Sequence, residues 1–214
     1  MQKPQKILAT KGKRSIGCLT SAERGTNTTA VCAVSASGQY VPPMMIFARK
    51  RMKDELMDDG PPGAIGHCTE SGYIDMNLFL KYLNHFVSHV RCTKDDKVLL
   101  ILDGHSSHTR SIQVIDYARE NGIILLSLPP HTTHKLQPLA VSVFKAVETY
   151  NDEAITKWLR NHPGRAVTPW QVAGIFKDAY ARAANIQNAV NGFRCTGIMP
   201  YDPNILPENV LSAS

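Results

Sequence analysis

VLLILDGHSSHTRSIQVIDYARENGIILLSLPPHTTHKLQPLA, residues 98–140, holds two short apolar runs separated by a helical stretch. Val98-Leu99-Leu100-Ile101-Leu102 reads as a strand buried on both faces, because unbroken apolar runs of this length mark covered strands. A helical stretch from about Arg110 to Glu120 follows and closes at Asn121-Gly122. Ile123-Ile124-Leu125-Leu126 is a second strand of the same kind. A strand–helix–strand unit of this size implies two parallel strands joined by a right-handed crossover.

Upstream, Thr28 opens two β-rich runs, 28–36 and 39–47, divided by the hairpin signal Ser37-Gly38. Pro42 and Pro43 lack the amide donor that a ladder needs, which predicts an edge or bulged strand for the second run. Residues 60–66 read as a breaker-rich loop. Asp75 is placed to cap a helix, MNLFLKYLNHFVSHV. There Leu78, Tyr82, Phe86 and His89 form one stripe, and Phe79, Leu83 and Val87 form another. After Pro138 the pattern is helical over about 141–160, 168–184 and 186–193, and the terminal GIMPYDPNILPENVLSAS reads as extended. The expected fold is α/β: a mixed sheet made of a hairpin and a β-α-β unit, with an all-helical C-terminal part. Residues 1–150 form the core and 151–214 a helical extension packed on it.

Composition sets bounds on function. No run of about 18 apolar residues occurs, so no membrane-spanning helix is expected. The N-terminal MQKPQKILATKGKR is charged without a following apolar core, unlike a secretory signal. Five cysteines make an odd set with no CxxC pair, which argues for a reducing intracellular compartment. The net charge of +6 is concentrated in two clusters: Lys3, Lys6, Lys11, Lys13 and Arg14, then Arg49, Lys50, Arg51 and Lys53. Each is a phosphate-contacting strip, an import signal or a solvated loop.

Sites in open α/β sheets form beyond the carboxyl ends of parallel strands. Asp103 ends the first apolar run, so its carboxylate is a metal-binding or catalytic candidate, or else a cap of the next turn. His105, His108, His131 and His134 fall at the same two strand ends, where HxxH spacing makes a zinc site conceivable. They serve equally well as loop residues or phosphate contacts. Ser106, Ser107 and Thr109 lie near histidines, but the Gly-x-Ser-x-Gly elbow of a serine hydrolase is missing. Trp158 and Trp170 read as core anchors rather than base-stacking platforms, and Arg194 as a locally paired residue rather than a nucleic-acid contact.

LLILDGHSSHTR and LPPHTTHKLQPL resemble the DDE-type transposases of the pogo, Tigger and jerky group, within the mariner superfamily. LTSAERGT (19–26), CAVSASGQYVPPMMIFARKRM (32–52), WLRNHPGRAVT (158–168) and NGFRCTGIMPYDPN (191–204) extend the likeness over nearly the whole chain. It implies an RNase H-like core in which three carboxylates hold two magnesium or manganese ions for in-line attack on a phosphodiester. Asp103 matches the second ligand. The third follows the LQPL motif, where this chain has Ala140. The first belongs to a DET-G-like strand ahead of the QKPQKILA segment in which this chain starts, so it is expected to be absent. Glu148 and Asp152 lie roughly 12 and 18 Å beyond Ala140 along the following helix, too far to stand in for the third ligand.

The missing strand would be central, so either residues 1–20 take its place or the sheet is split. The implied function is a catalytically inactive, transposase-derived, nucleic-acid-binding domain of nuclear location, with no cofactor of its own and oligomeric state open. Its partner is DNA, met nonspecifically through Lys11, Lys13, Arg14, Arg49, Lys50, Arg51, Lys53, His105, His131, His134 and Lys135; Asp103 is a remnant metal ligand. The alternatives are an active magnesium-dependent strand-transfer nuclease in a longer natural form, and a histidine-based metal-binding protein.

Overall fold

A computed structural model describes residues 27–103, 111–129 and 132–205. Within them β1 (Thr28–Val34) and β2 (Tyr40–Ala48) form the expected antiparallel hairpin. Val31 pairs with Met44 and Ala33 with Val41, so Cys32 alone faces Pro42 and Pro43. The extra residue makes a bulge at the two prolines, where missing amide donors do least harm.

β3 (Ile65–Thr69) runs parallel to β2 and pairs with it from Met44 to Ala48. Of the two readings of β2, edge or bulged, the bulge is the one observed: its proline half has one neighbour and its second half is central. Alternation then divides the second half between two cores. Met44 and Ile46 face one apolar cluster with Leu78, Phe79 and Leu83, while Met45 and Phe47 face another with Leu56 and Ala173. The strand buried on both faces is thus β2. The 60–66 loop is also corrected at its end. Gly66 is no breaker but a packing requirement of β3, since a Cβ there would lie 2.5 Å from the Met52 and Met57 side chains.

Helix α1 (Met76–Val90) starts where Asp75 Oδ1 accepts a hydrogen bond from the Leu78 amide at 2.8 Å, a cap worth about 1 kcal/mol. Leu78, Phe79, Tyr82, Leu83 and Phe86 bury its apolar side. His89 leaves that stripe and is exposed, its Nδ1 at 2.8 Å from the His85 carbonyl.

β4 (Val98–Leu102), α2 (Ile112–Glu120) and β5 (Ile123–Ser127) form the expected parallel unit, with Leu99 paired to Ile124 and Ile101 to Leu126. Val98, Leu100, Leu102, Ile123 and Leu125 pack into the α1 core. The opposite face is not covered as the unbroken apolar runs predicted: Leu99 is 54%, Ile124 52% and Leu126 47% exposed. Among the described residues the sheet is split, β1-β2-β3 and β4-β5, with no strand joining β1 to β4. Residues 1–20, the candidates for the place of the missing strand, lie outside the described residues. The mixed α/β arrangement is consistent with an RNase H-like fold.

The chain then turns helical: α3 (Thr133–Leu136), a wide π-turn (Leu139–Val143), α4 (Phe144–Asn161), α5 (Pro169–Ala183) and α6 (Ile186–Cys195). α4 runs through the 150/151 position at which the sequence divides core from extension. α5 has Pro169 in its first turn, and Gln171 Oε1 accepts from the Thr168 amide at 3.0 Å. The expectation of an extended tail is corrected for 197–205. That segment folds back in turns, with the Ile198 amide on the Phe193 carbonyl and the Asp202 amide on that of Gly197.

Candidate functional site

Asp103 follows the last residue of β4 and is half-buried. The neighbouring strand end holds it in place: the Leu128 amide donates to the Leu102 carbonyl at 2.9 Å, and the Ser127 hydroxyl reaches the Asp103 carbonyl at 3.5 Å. Beyond Leu128 the Thr132 hydroxyl donates to the Pro129 carbonyl at 2.7 Å. One turn of α3 and Pro138 then deliver Ala140 into the π-turn, its amide on the Gln137 carbonyl at 3.1 Å. Single π-turns inside helices recur at functional sites because they displace one residue from the regular helical path.

The π-turn is firmly seated. Leu139 and Val143 are buried beside it. Gly192 of α6 approaches so closely that a Cβ there would lie 2.5 Å from the Pro138 carbonyl oxygen. Ala140 is therefore a half-buried methyl on a fixed backbone. Hard divalent cations take oxygen donors. Asp103 supplies such a donor by type; Ala140 supplies none.

Of the other expected site residues, His134 is exposed and Lys135 half-buried, both on α3. His105, His108, His131, Lys11, Lys13 and Arg14 lie outside the described residues. The second basic cluster occupies different elements. It follows β2 and leans on α5, with Arg49 Cζ 5.0 Å and Lys53 Nζ 5.4 Å from the centre of the Trp170 ring. Lys50 reaches Glu70 at 3.8 Å with both side chains largely in solvent, a contact of little energetic weight. Arg51 is exposed.

Trp170 is the residue that sequence reasoning misplaced. It is 38% exposed, not a core anchor. It stands three residues before buried Ala173, so periodicity puts it on the core stripe. Helical side chains lean toward the N-terminus, however, and a first-turn ring overhangs the helix end. Trp158 is half-buried and stacks on His162 at 4.3 Å. Arg194 pairs locally, donating to Asn191 Oδ1 at 3.1 Å.

The titratable cluster beneath the sheet offers no nucleophile. Burial pushes the Cys32 thiol up to about 12, against a smaller lowering by its hydrogen bond with Tyr180. Burial and the neighbouring Cys32 push Tyr40 up to about 12 as well. Both groups stay protonated at neutral pH.

The sequence profile of the DDE superfamily endonucleases matches residues 25–191, more than three quarters of the chain and all of the elements from β1 through most of α6. This chain belongs to the DDE superfamily endonuclease family. A 184-residue stretch of this DDE chain is also 27% identical to a protein of Cochliobolus lunatus named MFS-type transporter clz9, covering 83% of the chain and 19% of that protein. The chain thus spans about a fifth of the length of that curated relative. Among its described residues no helix is long and apolar enough to cross a membrane. No solved structure matches it.

Proposed function

We propose that this chain is a transposase-derived DDE domain, of the pogo, Tigger and jerky group, that binds DNA nonspecifically in the nucleus and does not cut it. One observation carries the proposal: Ala140, held on the π-turn beyond the LQPL motif where the family places its third acidic ligand. A methyl group has no lone pair to offer a metal, so position 140 adds neither a donor atom nor a negative charge. The residues do not fit a two-metal centre, and no cleavage step is assigned to them.

Binding has separate support. Arg49, Lys50, Arg51 and Lys53 occupy one loop, and Lys135 and His134 share α3. Each lysine or arginine that neutralises a phosphate releases counterions, which makes affinity fall with salt. Magnesium supplies Lewis-acid and water-activating chemistry in active relatives; the retained Asp103 is a remnant of that centre. The core is assigned to residues 1–150 and the helical extension to 151–214.

A plasmid test separates the two halves of the proposal. The purified chain is expected to shift plasmid DNA at low salt and to leave it supercoiled with magnesium or manganese. Nicking abolished by Asp103→Asn would restore the nuclease reading, and failure to shift DNA at low salt would remove the binding one.

A further inference from the structure

Trp170 combines three features that a buried tryptophan lacks. It stands exposed at the first turn of α5, two cations lie over its ring, and it lines a groove of about 480 Å³. Trp158, His162, Lys157 and Lys177 line the same groove. So do the carboxylates of Asp58, Asp59 and Asp178.

We propose that Trp170 is a stacking platform for the unpaired bases of a single-stranded nucleic acid whose phosphates run along Arg49, Lys50, Arg51 and Lys53. The proposal rests on the nucleic-acid-binding reading above and adds the strand form and the residue that selects it. Surfaces that hold single strands pair a cationic track with aromatic rings on which successive bases stack. Both parts are present here within about 5 Å of each other. The charge pattern sets their order. Carboxylates inside the groove repel phosphate, so the backbone stays on the basic rim while the base turns inward. Inside, acidic side chains accept hydrogen bonds from base N–H donors, thymine N3–H among them. A duplex keeps its bases stacked within the helix and has no face to offer the ring.

The chain has two tryptophans, so Trp158→Phe leaves Trp170 as the only indole reporter. The probes are a thymidine oligonucleotide about 16 nucleotides long, an abasic strand of the same length and the corresponding duplex. The thymidine strand is expected to quench Trp170 emission saturably, and the abasic strand and duplex are not. Anisotropy on the otherwise native chain provides a reading independent of Trp158→Phe. Trp170→Ala is expected to weaken the thymidine strand about tenfold and Trp170→Phe to restore most of that loss, with abasic affinity unchanged. Equal affinity for all three probes, untouched by Trp170→Ala, would overturn the platform and keep phosphate binding. Failure of every probe to bind would overturn both.

Discussion

The two sheets of the described residues are built to opposite standards. In β1-β2-β3 the central strand has Met44, Met45, Ile46 and Phe47 each at 1% exposure or less, with a separate core on either face. In β4-β5 one face packs on α1 and the other leaves Leu99, Ile124 and Leu126 about half exposed. The first region supplies the most deeply buried strand and no candidate site residue of the strand ends. The second region holds Asp103, and the turn that follows it holds Ala140. Burial is what the hydrophobic pattern encodes, and chemistry depends on single side chains, so the two can diverge within one fold.

Truncation should show this contrast most strongly. Phe47→Ala is expected to cost about 3–5 kcal/mol, because the cavity opens in a strand covered on both faces. Leu126→Ala, on the open face, is expected to cost about 1 kcal/mol or less. Urea denaturation measures both, and equal losses would mean that the β4-β5 face is covered in solution.

A smaller effect joins the helical part to the site. Gly192→Ala pushes a methyl against the Pro138 carbonyl, which cannot rotate away as a flexible side chain would. A loss of about 1–3 kcal/mol is expected, as for other overpacked contacts. An unchanged melting curve would show that α6 does not seat the π-turn as described.

Acid sensitivity probes the first region too, since His67 lies in β3 and His85 of α1 is hydrogen-bonded to Pro42 of β2. Burial lowers each below the ordinary histidine value; Lys81 adds to the effect at His67. At His85 the hydrogen bond to the Pro42 carbonyl partly opposes the lowering, and His89 adds to it. The unfolded chain therefore takes up protons first. Stability from these groups is complete above pH ~6.5 and falls as pH drops through that value toward the lowered folded ones. Denaturation at successive pH values should show the loss, and His85→Gln should flatten it. A slope of the opposite sign would refute the burial.

The smallest expected change is a gain. Arg91 ends α1 with φ 57° and ψ 33°, the left-handed conformation that glycine adopts without steric cost. Arg91→Gly should stabilise the chain by about 1 kcal/mol, read as a rise in the urea midpoint.

The sequence shows most of this fold. The hairpin, the capped α1, the β-α-β unit and the three long helices follow from periodicity, caps and turn residues. β3 escapes because Gly66 resembles a breaker until the methionines around it are seen. β2 escapes as a central strand because its prolines obscure the fact that pairing with β3 starts only at Met44. At the site, Asp103 and Ala140 are visible as residues at a strand end and after a motif. The fixing of Ala140 by Pro138 and Gly192 is a long-range contact that no local pattern encodes. The exposure of Trp170 is hidden for a related reason, since its place on the core stripe says nothing about where the core stops.

The central claim is that the site holds no competent metal centre because position 140 is a methyl. Titration calorimetry with magnesium on the natural chain and on Ala140→Asp tests it most directly. The natural chain is expected to give no saturable heat of site binding, and Ala140→Asp to bind the ion more strongly. Stoichiometric micromolar binding by the natural chain, lost in Asp103→Asn, would contradict the account and return a metal centre to Asp103.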